Sequence, residues 1–180
     1  MITLIVSLSI ITIICAILLT FTIYYNRIQD CIIRINEAEV NIDSVLRKRF
    51  DLLNKSITII KNTTKTEDEI LDIIVKLRTK KITNFELDRT LYDAINDFNS
   101  YKEKYKELKN CEEYLKIEIN LFESESEIVA LRKYYNDIIT DYNKLIKSVP
   151  SNLIALLKNY QIKPYFDGNN LEEEKKMFRL

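Results

Sequence analysis

The pattern of apolar and polar positions divides the chain into an uncharged opening stretch and a long amphipathic remainder. Residues 1–26 contain no charged side chain, and the stretch from Ile2 to Tyr25 is rich in isoleucine and leucine. As a helix, this stretch spans roughly 36 Å, which exceeds the ~30 Å hydrocarbon core of a bilayer. Phe21, Tyr24 and Tyr25 lie at its end, where aromatic rings favour the membrane interface. The pattern therefore predicts a transmembrane anchor at 1–26.

The charges around this anchor predict that it is retained and how it is oriented. A cleaved signal peptide needs a basic leading region and small residues before the cut, and the sequence has neither. The first basic side chains, Arg27 and Arg34, follow the anchor. By the positive-inside rule, we predict a single-pass protein of the cell (cytoplasmic) membrane, with its N-terminus outside and its domain in the cytoplasm. An unpaired Cys111 agrees with a reducing compartment.

The remainder reads as helices, because no glycine or proline occurs from Arg27 to Val149. A first helix of about 35 residues continues straight on from the anchor and ends in the polar cluster from Asn62 to Thr66. Its apolar stripe recurs at steps of three and four, with one double step across Arg49 and Phe50, and comprises Ile28, Ile32, Ile35, Ala38, Ile42, Leu46, Leu53, Ile57 and Ile60.

Two capping-box spacings, Thr66 with Glu69 and Thr83 with Glu86, predict the starts of a second and a third helix. The inward positions are predicted as Ile70, Ile73, Ile74 and Leu77 on the second helix; Leu87, Leu91, Ala94, Ile95, Phe98, Tyr101, Tyr105 and Leu108 on the third; and Leu115, Phe122, Ile128, Leu131, Tyr135, Ile138, Tyr142, Leu145 and Val149 on the fourth. The third and fourth helices join near 109–112, or they form one bent helix there. Pro150 and Ser151 end the fourth.

These stripes predict an all-α fold in which the N-terminal transmembrane helix is followed by an antiparallel bundle of about four long helices. The bundle domain covers 27–166, and 167–180 form a C-terminal tail. A parallel coiled-coil oligomer is the rival, but the breaks at 62–66 and 80–84 and the unequal stripe widths argue against it. One glycine and two prolines are too few for the turns of a sheet fold.

The composition argues against several classes of function and ligand. The 27 basic and 27 acidic residues are interspersed, so no nucleic-acid partner is expected. No histidine is present, and the three cysteines have unrelated spacings, so we expect no metal, no cofactor and no small-molecule substrate. The carboxylate pairs Glu67 with Glu69 and Glu123 with Glu125 could serve acid–base catalysis, but such pairs are common on exposed helices. We therefore expect a protein that is not an enzyme.

Charged residues interrupt the apolar stripes. Arg49 lies between Leu46 and Leu53, and Arg132 lies between Ile128 and Tyr135. A buried arginine needs a carboxylate partner. Because Glu125 lies two turns before Arg132 on the same face, we predict that Arg49 pairs across the bundle with Glu125 or Glu127 and fixes the helix register.

Two asparagines, Asn136 and Asn143, lie one heptad apart, and each is preceded by a tyrosine. They therefore share a helix face, and we predict that they hydrogen-bond across the bundle, again to fix register.

Together these features resemble the LemA family of bacterial membrane proteins. The resemblance rests on Tyr25 and Asn26 at the end of the span, "RFDLL" at Arg49–Leu53, and "PYF" at Pro164–Phe166. Its C-terminal block comprises Glu125, Ile128, Arg132, Tyr135, Asn136, Tyr142, Asn143, Pro150, Ser151 and Asn152. Asn54 and Lys106 stand where the family often has proline. The resemblance implies a membrane-anchored four-helix bundle and no particular reaction.

We therefore predict a membrane-tethered interaction or scaffolding module whose partners are proteins that bind exposed helix faces or the end near 62–84. The alternative is a transmembrane signalling component that relays helix shifts through the first helix.

Overall fold

A computed structural model describes residues 1–66, 70–77 and 83–166, and every regular element in those ranges is helical. The α-helices there are α1 (Ile2–Thr64), α2 (Asp72–Leu77), α3 (Asn84–Lys104), α4 (Glu112–Lys147) and α5 (Ser151–Lys158), and a 3-10 helix at Lys106–Asn110 joins α3 to α4. The predicted all-α fold, an apolar N-terminal helix followed by a helical bundle, is confirmed.

The longest element, α1, is one continuous helix of 63 residues. Its large apolar side chains are exposed from Ile2 to Ile23, and from Ile28 onward one face becomes buried. The buried positions recur at steps of three and four and include Ile28, Cys31, Ile35, Ala38, Ile42, Leu46, Arg49, Leu53, Ser56 and Ile60. The helix stops within the predicted polar break, where Lys65 has a φ of 53°, the left-handed conformation that commonly follows a helix.

The helices form two compact units. The first unit comprises 1–37 together with 135–180, and the second comprises 38–134. Both α1 and α4 contribute residues to each unit, because their ranges cross the unit boundaries.

In the second unit, α3 begins and ends at residues with clear local causes. Its predicted capping box is present: Thr83 Oγ1 accepts a hydrogen bond from the Glu86 amide, and Glu86 Oε2 accepts one from the Thr83 amide. The helix ends at Lys104, earlier than predicted, and Leu108 is buried in the 3-10 helix instead. A single bent helix through 109–112 is wrong, because the chain reverses there and stacks Tyr114 on Phe98 with 4.4 Å between ring centroids.

The predicted inward face of α4 is partly wrong in the second unit. The buried positions are Tyr114, Ile117, Leu121, Ser124 and Ile128, whereas Phe122 is 77% exposed. Apolar residues occur on two faces of this part of α4, so spacing alone does not select the inner one. Of the positions predicted to point inward on the second helix, Ile73 is likewise exposed at the surface.

In the first unit, the sequence prediction missed a helix. Pro150 ends α4 as expected, but α5 begins directly after it, because proline also suits the start of a helix. Asn159 closes α5 in the left-handed conformation that asparagine tolerates. The chain then continues without regular structure to Phe166.

Several predictions lie outside the described residues. They are the capping box at Glu69, the carboxylate pair at Glu67 and Glu69, most of the break at 80–84, and the tail at 167–180.

Candidate functional site

Four charged side chains meet inside the second unit and form what we call the charged cluster. It comprises Arg49 on α1, Asp88 on α3, and Glu125 and Arg132 on α4. Arg49 pairs with Glu125 through one terminal nitrogen, and its other terminal nitrogen lies 3.6 Å from Asp88 Oδ1. Arg132 donates to Asp88 Oδ2. The cluster therefore joins three helices.

Burial makes Asp88 the centre of this cluster. The side chains of Arg49 and Asp88 are 1% and 7% exposed, whereas that of Glu125 is 40% exposed. Removing a charge from water is costly unless an opposite charge accompanies it. Asp88 touches both arginines, so it compensates the charge of Arg49 where solvent does not reach.

The structure brings together some of the predicted partners and replaces others. Arg49 and Glu125 meet, while Glu127 lies 4.0 Å from Lys48 instead. Arg132 is paired with Asp88 on α3. Sequence reasoning missed Asp88, although it lies three residues before the buried Leu91, on the inward face of α3.

The polar interactions found inside the second unit are ion pairs and hydrogen bonds. The buried hydroxyls of Ser56 and Ser124 donate to carbonyls of their own helices, those of Leu53 and Leu121. In the described part of the chain, no three histidine, cysteine, aspartate or glutamate side chains are grouped so as to hold a metal ion. The charged cluster therefore links α1, α3 and α4 through ion pairs.

In the first unit, Asn136 and Asn143 bind the segment that follows α5. The side chain of Asn143 donates to the Lys163 carbonyl at 2.9 Å and accepts from the Lys163 amide at 3.0 Å. Asn136 Oδ1 accepts from the Phe166 amide at 2.8 Å. The prediction that they bond helix to helix is wrong: their partners are backbone groups of an irregular segment, whose polar groups have no helix to satisfy them.

Side chains from two helices complete the hold on this segment. Tyr142 on α4 donates from its hydroxyl to the Gln161 carbonyl at 3.1 Å, and Gln29 on α1 donates to the Tyr160 hydroxyl at 2.6 Å. Burial raises the pKa of Tyr142, and the neighbouring Tyr160 adds to the effect, so its phenol stays protonated and able to donate. We call residues 160–166 the clamped segment.

A polar cleft of about 690 Å³ opens in the first unit beside α1 and α4. Its charged lining comprises Arg27, Asp30, Arg34, Asp141 and Lys144. Cys31 also lines this cleft. Burial raises the pKa of the Cys31 thiol, and Asp30 and Asp141 raise it further, so the thiol is protonated at neutral pH and is a poor nucleophile.

In the second unit, α4 also carries apolar side chains on its outer side. Ile119, Phe122 and Val129 are between 52% and 77% exposed and are spaced by three and seven residues, which places them on one face. We call these three residues the outer apolar face.

Comparison with known proteins agrees with the observed architecture. Within the described residues, α1 is the one helix long and apolar enough to cross a membrane. A search against curated proteins finds no match to the chain. The sequence model of the LemA family, in contrast, matches residues 38–178, which include most of α1 after the apolar stretch and all of α2 to α5. This all-helical chain therefore belongs to the LemA family.

Proposed function

We propose that the chain is a single-pass membrane protein that presents a helical interaction module at the cytoplasmic face of the cell membrane. One observation carries the proposal: the uncharged start of α1, from Ile2 to Ile23, exposes its large apolar side chains and continues unbroken into the bundle. Exposing such a surface to water is unfavourable, and its length matches the hydrocarbon core of a bilayer.

The distribution of basic residues supports the orientation. Arg27 and Arg34 follow the apolar stretch directly. Residues 142–166 contain four lysines and no acidic residue. The hydrogen bond from Gln29 to Tyr160 places the last part of this stretch beside the start of the charged part of α1. Basic residues near a span favour the cytoplasmic side.

Membrane fractionation and cysteine labelling test the anchor and its orientation together. Cys111 is partly exposed in the second unit. We expect the full chain to remain in membranes after alkaline carbonate washing, and a membrane-impermeant maleimide to label Cys111 only after the membrane is opened. A protein released by carbonate contradicts the anchor, and labelling in intact cells contradicts the orientation.

The outer apolar face supports the interaction role. Phe122 is a large aromatic side chain exposed to water, and aromatic anchors contribute strongly to protein interfaces. We propose that a protein partner covers this face, and that the domain binds rather than catalyses.

A photo-crosslinking side chain tests this surface in living cells. Placed at Phe122, it should give a discrete cross-linked product. Lys116 is the matched control, because it is exposed on the same helix but about 110° further round. Equal products at both positions, or none at Phe122, would count against the outer apolar face as a partner site.

A signalling role is the second candidate, favoured by the unbroken course of α1 from the apolar stretch into the domain. Inserting one to four residues after Asn26 rotates the rest of α1 relative to the apolar stretch, whereas inserting seven residues, about two helical turns, restores the original orientation. A relay should respond periodically to insertion length. A tether should keep its function at every insertion length.

A further inference from the structure

The missed helix α5 and the turn before it carry an apolar face that no part of the described chain covers. Val149, Leu153, Leu156 and Leu157 are between 59% and 80% exposed. Leu153, Leu156 and Leu157 are spaced by three and four residues, which places them on one face of α5, and Val149 lies in the turn just before it.

This face is held in place by contacts on the opposite side of α5. Ile154 and Ala155 are buried there, and the Ser151 hydroxyl contacts the carbonyls of Leu145 and Ser148 at 2.5 and 2.9 Å. The exposed leucines are therefore part of a fixed element, and their exposure is a property of the fold.

The apolar face of α5 lies beside the apolar stretch of α1, within the first unit. An open groove of about 450 Å³ has residues from Ile13 to Tyr24 on one wall and Pro150, Leu153 and Ile154 on the other. At the far end of α5, Lys158 Nζ lies 5.8 Å from the ring centre of Tyr25. The helix thus runs alongside the part of α1 that lies in lipid if α1 is an anchor.

The charges around α5 fit a bilayer surface. Lys144 and Lys147 precede it, and Lys158 and Lys163 end and follow it, with no acidic residue from 142 to 166. An apolar face flanked by lysines is the pattern of helices that lie in a membrane interface and attract anionic lipids.

We propose that residues 149–158 are a second membrane-inserted element, with their apolar face in the acyl chains of the same leaflet that holds the end of the anchor. This proposal rests on the proposed membrane anchoring. A lipid-facing α1 with a water-exposed leucine face beside it would force water into an apolar groove, and insertion of α5 removes that water. The first unit then sits on the bilayer, in contact with lipid through two elements.

Fluorescence quenching in proteoliposomes tests the insertion. The full chain, with Cys15, Cys31 and Cys111 replaced by alanine, receives one cysteine at Leu18, Leu157 or Ile33, each labelled with an environment-sensitive dye. The vesicles contain phosphatidylcholine and phosphatidylglycerol, part of it carrying a nitroxide midway along the acyl chain. Ile33 is the matched control: it is as exposed as the leucines, but lies about 10 Å beyond Asn26 along α1.

We expect the nitroxide lipid to quench Leu18 and Leu157 by at least about twofold and to leave Ile33 nearly unchanged, because only a dye within the acyl region meets the quencher. Quenching at Leu18 without quenching at Leu157 overturns the insertion of α5 and leaves the anchor intact. If the dye at Leu18 is not quenched, the anchor and the insertion of α5 are both contradicted. Cross-linking between Leu157→Cys copies that stay unquenched shows that a second copy covers the face, and also overturns the insertion.

A charged variant provides an independent reading that does not depend on a dye at Leu157. Leu156→Asp combined with Leu157→Asp changes only exposed side chains, so the fold should persist. With the dye at Leu153, we expect this double substitution to lower the quenching at least twofold, and Leu156→Ala with Leu157→Ala to lower it less. Equal quenching in both double variants contradicts the proposal.

Discussion

At the scale of single residues, the second unit depends on how one buried positive charge is compensated. Arg49 occupies a position on α1 where most neighbours along the same face are aliphatic. Its partners come from two other helices, Asp88 from α3 and Glu125 from α4. Because Glu125 is partly open to solvent and Asp88 is not, we infer that Asp88 contributes more to stability.

Replacing Asp88 by alanine should therefore destabilise the protein strongly. The variant leaves Arg49 with one partly exposed partner, and breaking a buried pair costs about 3–5 kcal/mol. Denaturant unfolding of the full chain in detergent measures the change. Asp93→Ala is the matched control, because Asp93 is exposed on the same helix and its loss should cost no more than about 0.5 kcal/mol. Equal losses in the two variants would show that Asp88 does not compensate Arg49.

Tyr114 makes the stability of the protein depend on alkaline pH. Its hydroxyl donates to the Phe98 carbonyl at 2.6 Å, and burial, with Glu118 nearby, raises its pKa above the usual 10.0. The folded protein therefore holds this proton more tightly than the unfolded chain. The stabilisation is complete below pH 10 and is lost as the pH rises further.

We expect Tyr114→Phe to be less stable near neutrality by about 1 kcal/mol, because one hydrogen bond is lost. Above the ordinary tyrosine pKa, its stability should fall less steeply with pH than that of the unmodified protein. Thermal unfolding across the alkaline range measures both effects. The exposed Tyr92 provides the comparison, since Tyr92→Phe should keep the original slope. Identical slopes in all three proteins would contradict the assignment to Tyr114.

At the scale of elements, the first unit shows how a segment without regular structure is held in place. The clamped segment at 160–166 forms no helix, and after the Tyr160 amide, which still bonds to the Ala155 carbonyl of α5, its backbone groups need other partners. Asn143 takes that role for Lys163 by donating to its carbonyl and accepting from its amide. Asn136, seven residues before Asn143, supplies a second point of attachment because its side-chain oxygen accepts a hydrogen bond from the Phe166 amide.

Replacing Asn143 by alanine should release this segment without unfolding the helices. Hydrogen exchange of the amides in 160–166 should accelerate by about ten- to a hundredfold, because two hydrogen bonds of about 1 kcal/mol each are lost. Mass spectrometry of the peptides that cover 160–166 measures the rate. Asn120→Ala tests specificity, since the Asn120 side chain is half-buried on α4 and bonds to the Lys116 carbonyl of its own helix. Unchanged protection after Asn143→Ala would show that other contacts hold the segment.

At the scale of the whole molecule, one helix links the apolar start of the chain to the bundle. Charged side chains appear on α1 only after Asn26, while the helix itself continues to Thr64. Insertion of the anchor itself should therefore depend on the apolar stretch.

A charge in the middle of that stretch should weaken insertion. Ile13→Arg is expected to make insertion less favourable by about 2.5–3.5 kcal/mol, the cost of arginine at the centre of a span. A glycosylation-based insertion assay measures the shift. Ile33→Arg is the control, because Ile33 is exposed beyond the proposed span and arginine there should leave insertion unchanged. Similar shifts for both variants would place the membrane boundary elsewhere.

The sequence by itself determined the fold class and the change along α1 from exposed apolar side chains to a partly buried face. With no glycine or proline from Arg27 to Val149 the chain has few ways to turn, so stripes at steps of three and four had to become helices. On α1 most of the expected positions are buried, although Ile32 and Ile57 are only half-buried. The start of α3 at Thr83 could likewise be predicted from the sequence, because the hydrogen bonds of its capping box join residues three apart. These features depend on neighbours in sequence.

Only the tertiary structure decided which of two apolar faces of α4 is buried, what Asp88 compensates, and what Asn136 and Asn143 bind. It also revealed α5, since a proline that ends one helix can begin the next. Each of these depends on which element packs against a residue, and a periodic pattern along one helix specifies a face without specifying its neighbour.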